Sequence, residues 1–214
     1  MEADAFVRWM IAEDVLQFGD FELKSGRRSP YFFNLGAIDN GAAYHRLGVA
    51  YAALASALPE APQVLFGPAY KGIPIAVAAS VALAREQGVN VGVAFNRKEA
   101  KAHGEGGRLV GSAMAGQRVV VVDDTITDGA AKIEACELIS AAGGSVTGVL
   151  IAMDRREHVA GGGTAVEHLE ARLRVPVRSI ARLEDVVRIL AADPAEAGRL
   201  ETVLAYRDRY CAVE

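Results

Sequence analysis

The sequence predicts an α/β fold in which a mainly parallel, doubly wound sheet is flanked by helices. Its strand candidates are continuous apolar runs without polar alternation, which is typical of strands buried on both faces. The runs alternate with helical segments of about 12–15 residues, the order expected of parallel strands joined by crossover helices. A chain of 214 residues, 51% hydrophobic and 23% charged, is long enough to bury such a core.

The core of this fold is predicted over about residues 60–180. Strands are expected at 64–66, 91–95, 119–122 and 146–153. The helices between them are expected at 73–87, before Gly88, and at 130–142, before Gly143 and Gly144. We expect residues 1–214 to form a single domain, because no linker or low-complexity run divides the chain.

The two ends of the chain are predicted to form a small accessory region. An amphipathic helix over residues 4–17 is indicated by apolar residues at helical spacing: Phe6, Val7, Met10, Ile11, Val15 and Leu16. Two short strands at 21–23 and 31–33 flank a basic turn, and a helix at 42–58 ends before Pro59. Two further helices, at 183–192 and 195–210, end the chain.

Composition excludes several classes of protein. The net charge is −4 and the isoelectric point is near 5.7, so the overall charge does not favour binding to nucleic acid or anionic lipid. The longest uncharged apolar stretch, 72–84, is shorter than the roughly 17–25 residues of a membrane span. The acidic start Met-Glu-Ala-Asp does not resemble a signal peptide, so we expect a cytoplasmic protein with Cys136 and Cys211 as reduced thiols.

Residues 119–131, VVVVDDTITDGAA, carry the strongest signal for chemistry. A buried strand ends in Asp123 and Asp124, and a polar loop with Gly129 opens a helix, whose N-terminal N–H groups suit an anion. The carboxylates suit ribose hydroxyls or a magnesium-bound substrate. Neighbouring strand residues point to opposite faces, so both reach one ligand only if the backbone turns immediately after the strand. Alternatively, Thr125 or Thr127 caps the helix and the aspartates favour its dipole.

A second polar segment, 96–108, holds four Lys/Arg against two Glu, together with three glycines. Beside a phosphate site, a flexible cationic loop of this kind is expected to act as a lid over pyrophosphate. The alternative is a solvated hairpin tip. A dinucleotide-binding fingerprint fails here, because Leu109 stands where the third glycine belongs.

Three other segments offer ligand-binding side chains. Lys71 lies between a strand and a helix, where it adds a point charge for phosphate oxygens, although Ile73 excludes a Walker loop. Phe32 and Phe33 alternate across a strand, so only one can stack on a planar base while the other packs in the core. Arg155 presents a planar fork that suits a carboxylate, and Arg156 is the alternative.

These segments resemble those of a known family. The 119–131 string resembles the 5-phosphoribosyl pyrophosphate (PRPP) motif of type I phosphoribosyltransferases, departing from it at Asp128 and Ala130. Arg-Lys-Glu-x-Lys-x-His-Gly-Glu-Gly-Gly, beginning at Arg97, resembles the mobile loop of orotate phosphoribosyltransferases. Further stretches of the chain are similar to the same family: 21–27, 29–34, 67–74, 153–157 and 205–207.

The resemblance implies the type I phosphoribosyltransferase fold with an accessory hood, Mg²⁺ as cofactor, and a homodimer with shared active sites. It implies transfer of the phosphoribosyl group from PRPP to orotate in UMP synthesis, with Lys101, His103 and Asp124 as catalytic residues. It implies a PRPP site made of Lys24, Tyr70, Lys71, Arg97, Lys98, Lys101, His103, Asp123, Asp124, Thr125, Ile126, Thr127, Asp128, Gly129, Ala130 and Ala131. The orotate site, to which segment 1–40 contributes, would comprise Phe32, Phe33, Thr127 and Arg155, and no side chain would bind the metal directly.

Two alternatives stay open at this point. One is a type I phosphoribosyltransferase for a purine base, which the 97–107 loop and the 29–34 segment disfavour. The other is a non-catalytic PRPP sensor on the same fold. Such a regulator is expected to carry a basic nucleic-acid surface, which the acidic composition disfavours.

Overall fold

The computed structural model describes residues 2–23, 26–101, 107–127 and 129–213, with the backbone alone at 98–101 and at Gly107. The strands are β1 (Leu16–Glu22), β2 (Arg28–Phe33), β3 (Val64–Gly67), β4 (Gly92–Lys101), β5 (Gly107–Gly111), β6 (Arg118–Thr125), β7 (Ser145–Asp154) and β8 (Val177–Arg182). The α-helices are α1 (Ala3–Ala12), α2 (Gly41–Ser56), α3 (Gly72–Gln87), α4 (Ala130–Ala141), α5 (Ala165–Leu173), α6 (Leu183–Ala191) and α7 (Ala197–Tyr210).

A mainly parallel sheet organises these elements, as predicted. In the described part of the chain its order is β5-β4-β3-β6-β7-β8, and every neighbouring pair is parallel except β4 and β5. The carboxyl ends of β3, β6 and β7 therefore meet at one edge. This edge is where ligands bind in open α/β sheets.

Each face of the sheet has its own apolar layer. Val120 and Val122 of β6 belong to a buried cluster shared with α2 and α3, whereas Val119 and Val121 belong to a second cluster shared with α4 and α5. The alternation of side chains along a strand explains this division. It also assigns the next two residues of β6 to opposite faces.

The chain termini form the accessory region on the face covered by α2 and α3. β1 and β2 pair as a separate antiparallel ribbon, α1 packs against β1 and α7 against β2, and α6 contacts both of these helices. Phe6, Tyr31 and Tyr206 lie in the same buried cluster as Leu150 of the central sheet. The N-terminal ribbon is thus held next to the carboxyl end of β7.

Several predicted boundaries are wrong. The first helix ends at Ala12, not at residue 17, because Asp14 adopts a left-handed conformation with φ 54°, after which Val15 and Leu16 are buried at the start of β1. The segment 96–101, expected as a loop, continues β4 and pairs with β5. Strand β6 extends to Thr125, beyond the predicted end at residue 122.

The prediction also missed α5, β5 and β8. β8 is an edge strand with the sequence VRSIAR, and only Val177 and Ala181 are buried in it. An edge strand need not be apolar throughout, so it gives no continuous apolar run. No helix within the described residues combines the length and the apolar character needed to cross a membrane. Cys136 and Cys211 are free cysteines, and both are buried.

Candidate active site

The loop after β3 is the tightest backbone feature at the carboxyl edge. A Cβ on Gly67 would lie 2.1 Å from the carbonyl oxygen of Gly72, and a Cβ on Gly72 would lie 2.8 Å from that of Val122. The buried side chain of Asn96 accepts a hydrogen bond from the Ala69 N–H at 3.0 Å. The Ala69–Tyr70 peptide is cis. The loop is therefore fixed by its glycines and by β4.

Lys71 and Asp124 come together across this loop. Lys71 lies immediately before α3, and its Nζ is 2.8 Å from Oδ2 of Asp124. The Lys71 side chain is 47% exposed and that of Asp124 is 14% exposed, so the ammonium group faces solvent while the carboxylate is largely covered. Asp124 Oδ1 accepts a hydrogen bond from the Thr125 N–H at 2.7 Å. Two candidates from distant parts of the sequence thus share one end of the sheet.

Asp123 is held on the other face by a lysine that the sequence analysis did not select. Its Oδ2 is 2.5 Å from Nζ of Lys132, and its Oδ1 accepts from the Asp124 N–H at 3.0 Å. Tyr51, fully buried, donates its hydroxyl to the Asp123 carbonyl at 2.7 Å. Burial raises the pKa of the Asp123 carboxyl, Lys132 opposes that rise, and Asp124 adds to it.

The two aspartates therefore lie on opposite faces of the sheet. Strand β6 continues through both, so the immediate turn needed to bring them to one side is absent. Asp123 contacts α4 through Lys132, and Asp124 contacts the residue that precedes α3. A ligand that meets both carboxylates therefore has to reach across the edge of the sheet.

The segment between β6 and α4 carries the candidate phosphate loop. Gly129 adopts φ 78° and precedes the helix, an arrangement in which glycine avoids the strain of a side chain. Thr127, Ala130 and Ala131 are exposed, whereas Ile126 packs in the cluster beneath α4. Asp128 lies outside the described residues. The N-terminus of α4 is thus presented at the same edge as Lys71.

Arg155 follows β7 and lies beside the N-terminal ribbon. Its Nε and Nη2 are 2.7 Å and 2.6 Å from Oε1 of Glu157, its Nη2 donates to Ser29 Oγ at 3.3 Å, and its guanidinium lies 4.7 Å from the centroid of the Tyr31 ring. The side chain is 13% exposed. Met153, two residues earlier, pairs with Thr125 of β6, so the Arg155 side chain follows a strand end adjacent to the carboxyl end of β6.

Glu157 connects Arg155 to the accessory region. Its Oε1 also accepts the Tyr206 hydroxyl at 2.8 Å, and its Oε2 is 3.7 Å from Nη1 of Arg27. Arg156, the alternative to Arg155, lies 3.8 Å from Glu184 of α6 instead. The structure thus separates the two arginines, and Arg155 contacts the ribbon through Ser29.

The two phenylalanines have different environments. Phe33 is 6% exposed and packs in the core, whereas Phe32 is half-buried and stacks on Phe21 with ring centroids 5.4 Å apart. Their predicted alternation is therefore observed, and Phe32 is the ring with an accessible surface.

The remaining cations are only partly described. Arg97 lies on β4 with its Nη1 buried and without a hydrogen-bond partner among the described residues. Lys98 and Lys101 belong to β4 by their backbone. Lys24 and His103 lie outside the described residues.

Sequence reasoning missed three residues that position the candidate site: Lys132, Asn96 and Glu157. A signal for Lys132 was present, since it continues the buried stripe formed by Ala135, Cys136 and Ile139 on α4. A charged residue at a core position of an amphipathic helix indicates a buried partner. Asn96 and Glu157 gave no comparable pattern.

Comparison with known proteins defines the class first. Residues 39–160 match the model of the phosphoribosyl transferase domain family, a range that includes β3, β6 and β7 with the loops that follow them. The fold is that of a phosphoribosyltransferase.

Individual relatives define the family further. The chain is 47% identical over 205 residues to the orotate phosphoribosyltransferase of Nitrosococcus oceani, covering 96% of this chain and 93% of that protein. The crystal structure of orotate phosphoribosyltransferase from Francisella tularensis superposes with a TM-score of 0.85 at 32% identity, covering 97% and 100% of the two chains. The Mycobacterium tuberculosis H37Rv enzyme in complex with PRPP gives 0.65 at 26% identity, covering 86% and 97%. The chain belongs to the orotate phosphoribosyltransferase family.

Proposed function

We propose that this chain transfers the 5-phosphoribosyl group of PRPP to orotate, giving orotidine 5′-monophosphate and pyrophosphate in UMP synthesis. The observation that carries the proposal is the meeting of Lys71, Asp124 and Arg155 at three adjacent strand ends. The two substrates need a cation that binds phosphate, a carboxylate that binds the ribose hydroxyls and a guanidinium that binds the orotate carboxylate. Membership of the family supports the same reaction.

The PRPP half of the proposal assigns one part of the edge to each part of the substrate. Pyrophosphate would lie on the 67–72 loop against Tyr70 and Lys71, with Lys24, Arg97, Lys98, Lys101 and His103 as further cations. Asp123 and Asp124 would accept hydrogen bonds from the ribose hydroxyls across the sheet edge. The 5-phosphate would lie on residues 125–131, where the N-terminus of α4 provides backbone N–H groups and a favourable dipole.

The orotate half uses the Arg155 cluster. Arg155 is preorganised by Glu157 and by the Tyr31 ring, so the N–H groups that Glu157 does not engage would meet the ligand in one orientation. The orotate carboxylate would bind this guanidinium while the pyrimidine ring lies on the accessible face of Phe32, near Thr127. Segment 1–40 would thereby form part of the base site within a single 1–214 domain.

Catalysis is proposed to rest on placement and on stabilisation of the leaving charge. The C1′–O bond to pyrophosphate breaks as the base nitrogen approaches C1′, and the negative charge that develops on pyrophosphate falls among cationic side chains. Positioned cations stabilise such charge most effectively where water is excluded. Lys101 and His103 are assigned to this role, and Asp124 to holding the ribose while C1′ reacts.

Magnesium is proposed to enter mainly on the oxygens of PRPP. Within the described ranges, no group of three or more His, Cys, Asp or Glu is arranged to hold a metal ion, and both aspartates have lysine partners. These residues are compatible with a metal ion that is already bound to the diphosphate oxygens when PRPP enters the site. When bound, Mg²⁺ would neutralise part of the diphosphate charge.

We also propose a homodimer that shares its active sites. Val77 and Val81 lie one turn apart on α3 and are 46% and 50% exposed, and Tyr70, just before that helix, is 65% exposed. A second copy of the chain against this apolar stripe would stand beside the pyrophosphate loop. A cytoplasmic location, without nucleic-acid or membrane partners, completes the proposal.

An absorbance assay tests the proposed reaction. Orotate should be consumed only when PRPP and Mg²⁺ are both present, with orotidine 5′-monophosphate as product. Uracil lacks the carboxylate and would leave the Arg155 N–H groups that Glu157 and Ser29 do not engage without a partner in the site, so its rate should be lower by roughly 10⁴-fold or more. Comparable rates with uracil, or with hypoxanthine as a purine control, would overturn the base assignment.

A further inference from the structure

Lys132 is a buried cation next to the proposed ribose site, and no role has been assigned to it. It lies in the first turn of α4 and is 6% exposed. Its Nζ is 2.5 Å from Oδ2 of Asp123 and donates to the Thr125 carbonyl at 2.5 Å. The ammonium group of this α4 residue thus contacts both the Asp123 carboxylate and the end of β6.

The fold alone does not require a lysine at this position. Lys132 continues the buried stripe of Ala135, Cys136 and Ile139, where an apolar side chain would serve packing better. A buried ion pair is often replaceable by apolar groups of similar volume without loss of stability, because both charges lose their hydration. The pair therefore calls for an explanation other than stability.

The geometry of Asp123 provides that explanation. Burial raises the pKa of this carboxyl, so without a cation the ionised form that accepts ribose hydroxyl hydrogen bonds would be disfavoured. Its Oδ1 is fixed by the Asp124 N–H and its Oδ2 by Lys132. Asp124 has a different lysine, Lys71, which is half-exposed and lies where pyrophosphate is expected.

We propose that Lys132 is a positioning residue that holds Asp123 ionised and oriented for the ribose hydroxyls of PRPP. The proposal rests on the proposed function. Lys132 does not contact substrate but acts through Asp123. Because Lys132 also donates a hydrogen bond to the Thr125 carbonyl, it fixes the distance between the Asp123 carboxylate and the start of the proposed phosphate loop, residues 125–131.

The first test compares Lys132→Met with a matched control on the same buried stripe, Ile139→Ala. Lys132→Met should raise the KM for PRPP by about 10–100-fold, the scale on which hydrogen-bond partners of ligating groups act, with the KM for orotate within twofold of wild type. Ile139→Ala should lower the melting temperature and leave both KM values unchanged. A Lys132→Met variant with an unchanged KM for PRPP, or with an equal rise in both KM values, would overturn the proposal.

The second test keeps the proposal falsifiable if Lys132→Met does not fold. Asp123→Asn with Lys132→Met removes both charges, so no unpaired charge stays buried. PRPP affinity is measured by calorimetry for wild type, Asp123→Asn, Lys132→Arg and the double variant. Lys132→Arg should bind within about threefold of wild type, and adding Lys132→Met to Asp123→Asn should weaken binding less than twofold. A further tenfold loss in the double variant would show that Lys132 acts independently of Asp123.

Wild-type turnover distinguishes this proposal from the proposed function. Wild-type protein that does not convert orotate would refute the reaction. Normal wild-type turnover together with unchanged PRPP binding in Lys132→Met would refute only the positioning role.

Discussion

At the scale of single residues, the proposed orotate site depends on how Arg155 is held. Its guanidinium is largely buried, is paired with Glu157 and lies over the Tyr31 ring. Glu157 is in turn bonded by Tyr206 of α7. A helix at the C-terminus of the chain thus orients a side chain that follows β7, and the specificity proposed for Arg155 would depend on the accessory region.

Arg155→Ala should lower kcat/KM for orotate by about 10²–10³-fold, because a buried charged hydrogen bond to the substrate carboxylate is lost. PRPP binding, measured by calorimetry, should change less than threefold. Arg28→Ala is the control, since Arg28 pairs with the exposed Asp20 on the same ribbon. Equal loss in both variants would show that the ribbon, not the fork, had been damaged.

The two thiols should be inert in the folded protein. Burial raises the pKa of Cys136 to about 11 and that of Cys211 to about 12. At pH 8 the thiolate fraction of Cys136 is then about one part in a thousand, and the thiolate is the reactive form. A thiol reagent such as DTNB should modify neither residue within minutes at pH 8 and both after denaturation. Rapid reaction of native protein would contradict the buried placement.

At the scale of elements, the sequence was informative where pattern and burial agree. The apolar run before Asp123 predicted β6, and Gly88 correctly marked the end of α3, where it adopts φ 69°. Where the pattern was ambiguous, prediction failed: Val15 and Leu16 fit a helical stripe, but Val15 is buried immediately before β1 and Leu16 is its first residue. Lys132 was missed because a lysine is normally interpreted as a surface residue, and only its partner explains its burial.

The close packing around the 67–72 loop leads to a prediction at this scale. Gly72→Ala would place a Cβ 2.7 Å from Pro68 Cδ and 2.8 Å from the Val122 carbonyl oxygen, so the loop has to move. The free energy of unfolding should fall by about 1–3 kcal/mol, as for overpacking, and the KM for PRPP should rise. Gly198→Ala on α7, where a Cβ meets nothing within 4 Å, should cost no stability. Denaturant unfolding and steady-state kinetics measure both, and similar behaviour of the two variants would contradict the packing argument.

At the scale of the whole molecule, α3 would connect the site to a second copy of the chain in the proposed dimer. The exposed Val77 and Val81 lie on the helix that begins immediately after Lys71, so dimerisation through them would bring partner residues near the pyrophosphate loop. Strand β4, which runs to Lys101, ends in the segment expected to cover that loop. A shared site is the arrangement that uses both features.

Mixing two inactive variants tests the shared site. Lys101→Ala should lower turnover by about 10²–10³-fold, and Asp124→Asn should be comparably impaired. If Lys101 acts across the interface, each hybrid dimer has one site with both lesions and one with neither. About half of the dimers are hybrids after subunit exchange, so about a quarter of wild-type activity should return. No recovery, with exchange confirmed by tag pull-down, would show that the segment acts within its own chain.

A crystal structure with orotidine 5′-monophosphate tests most directly whether the three strand ends form one site. The base carboxylate should lie within hydrogen-bond distance of the Arg155 guanidinium, about 2.7–3.2 Å. The ribose hydroxyls should meet Asp123 and Asp124 across the sheet edge, and the 5-phosphate should lie on the N-terminus of α4. A nucleotide bound elsewhere, or bound at this edge with its phosphate at Arg155 and its base at α4, would contradict the assignment.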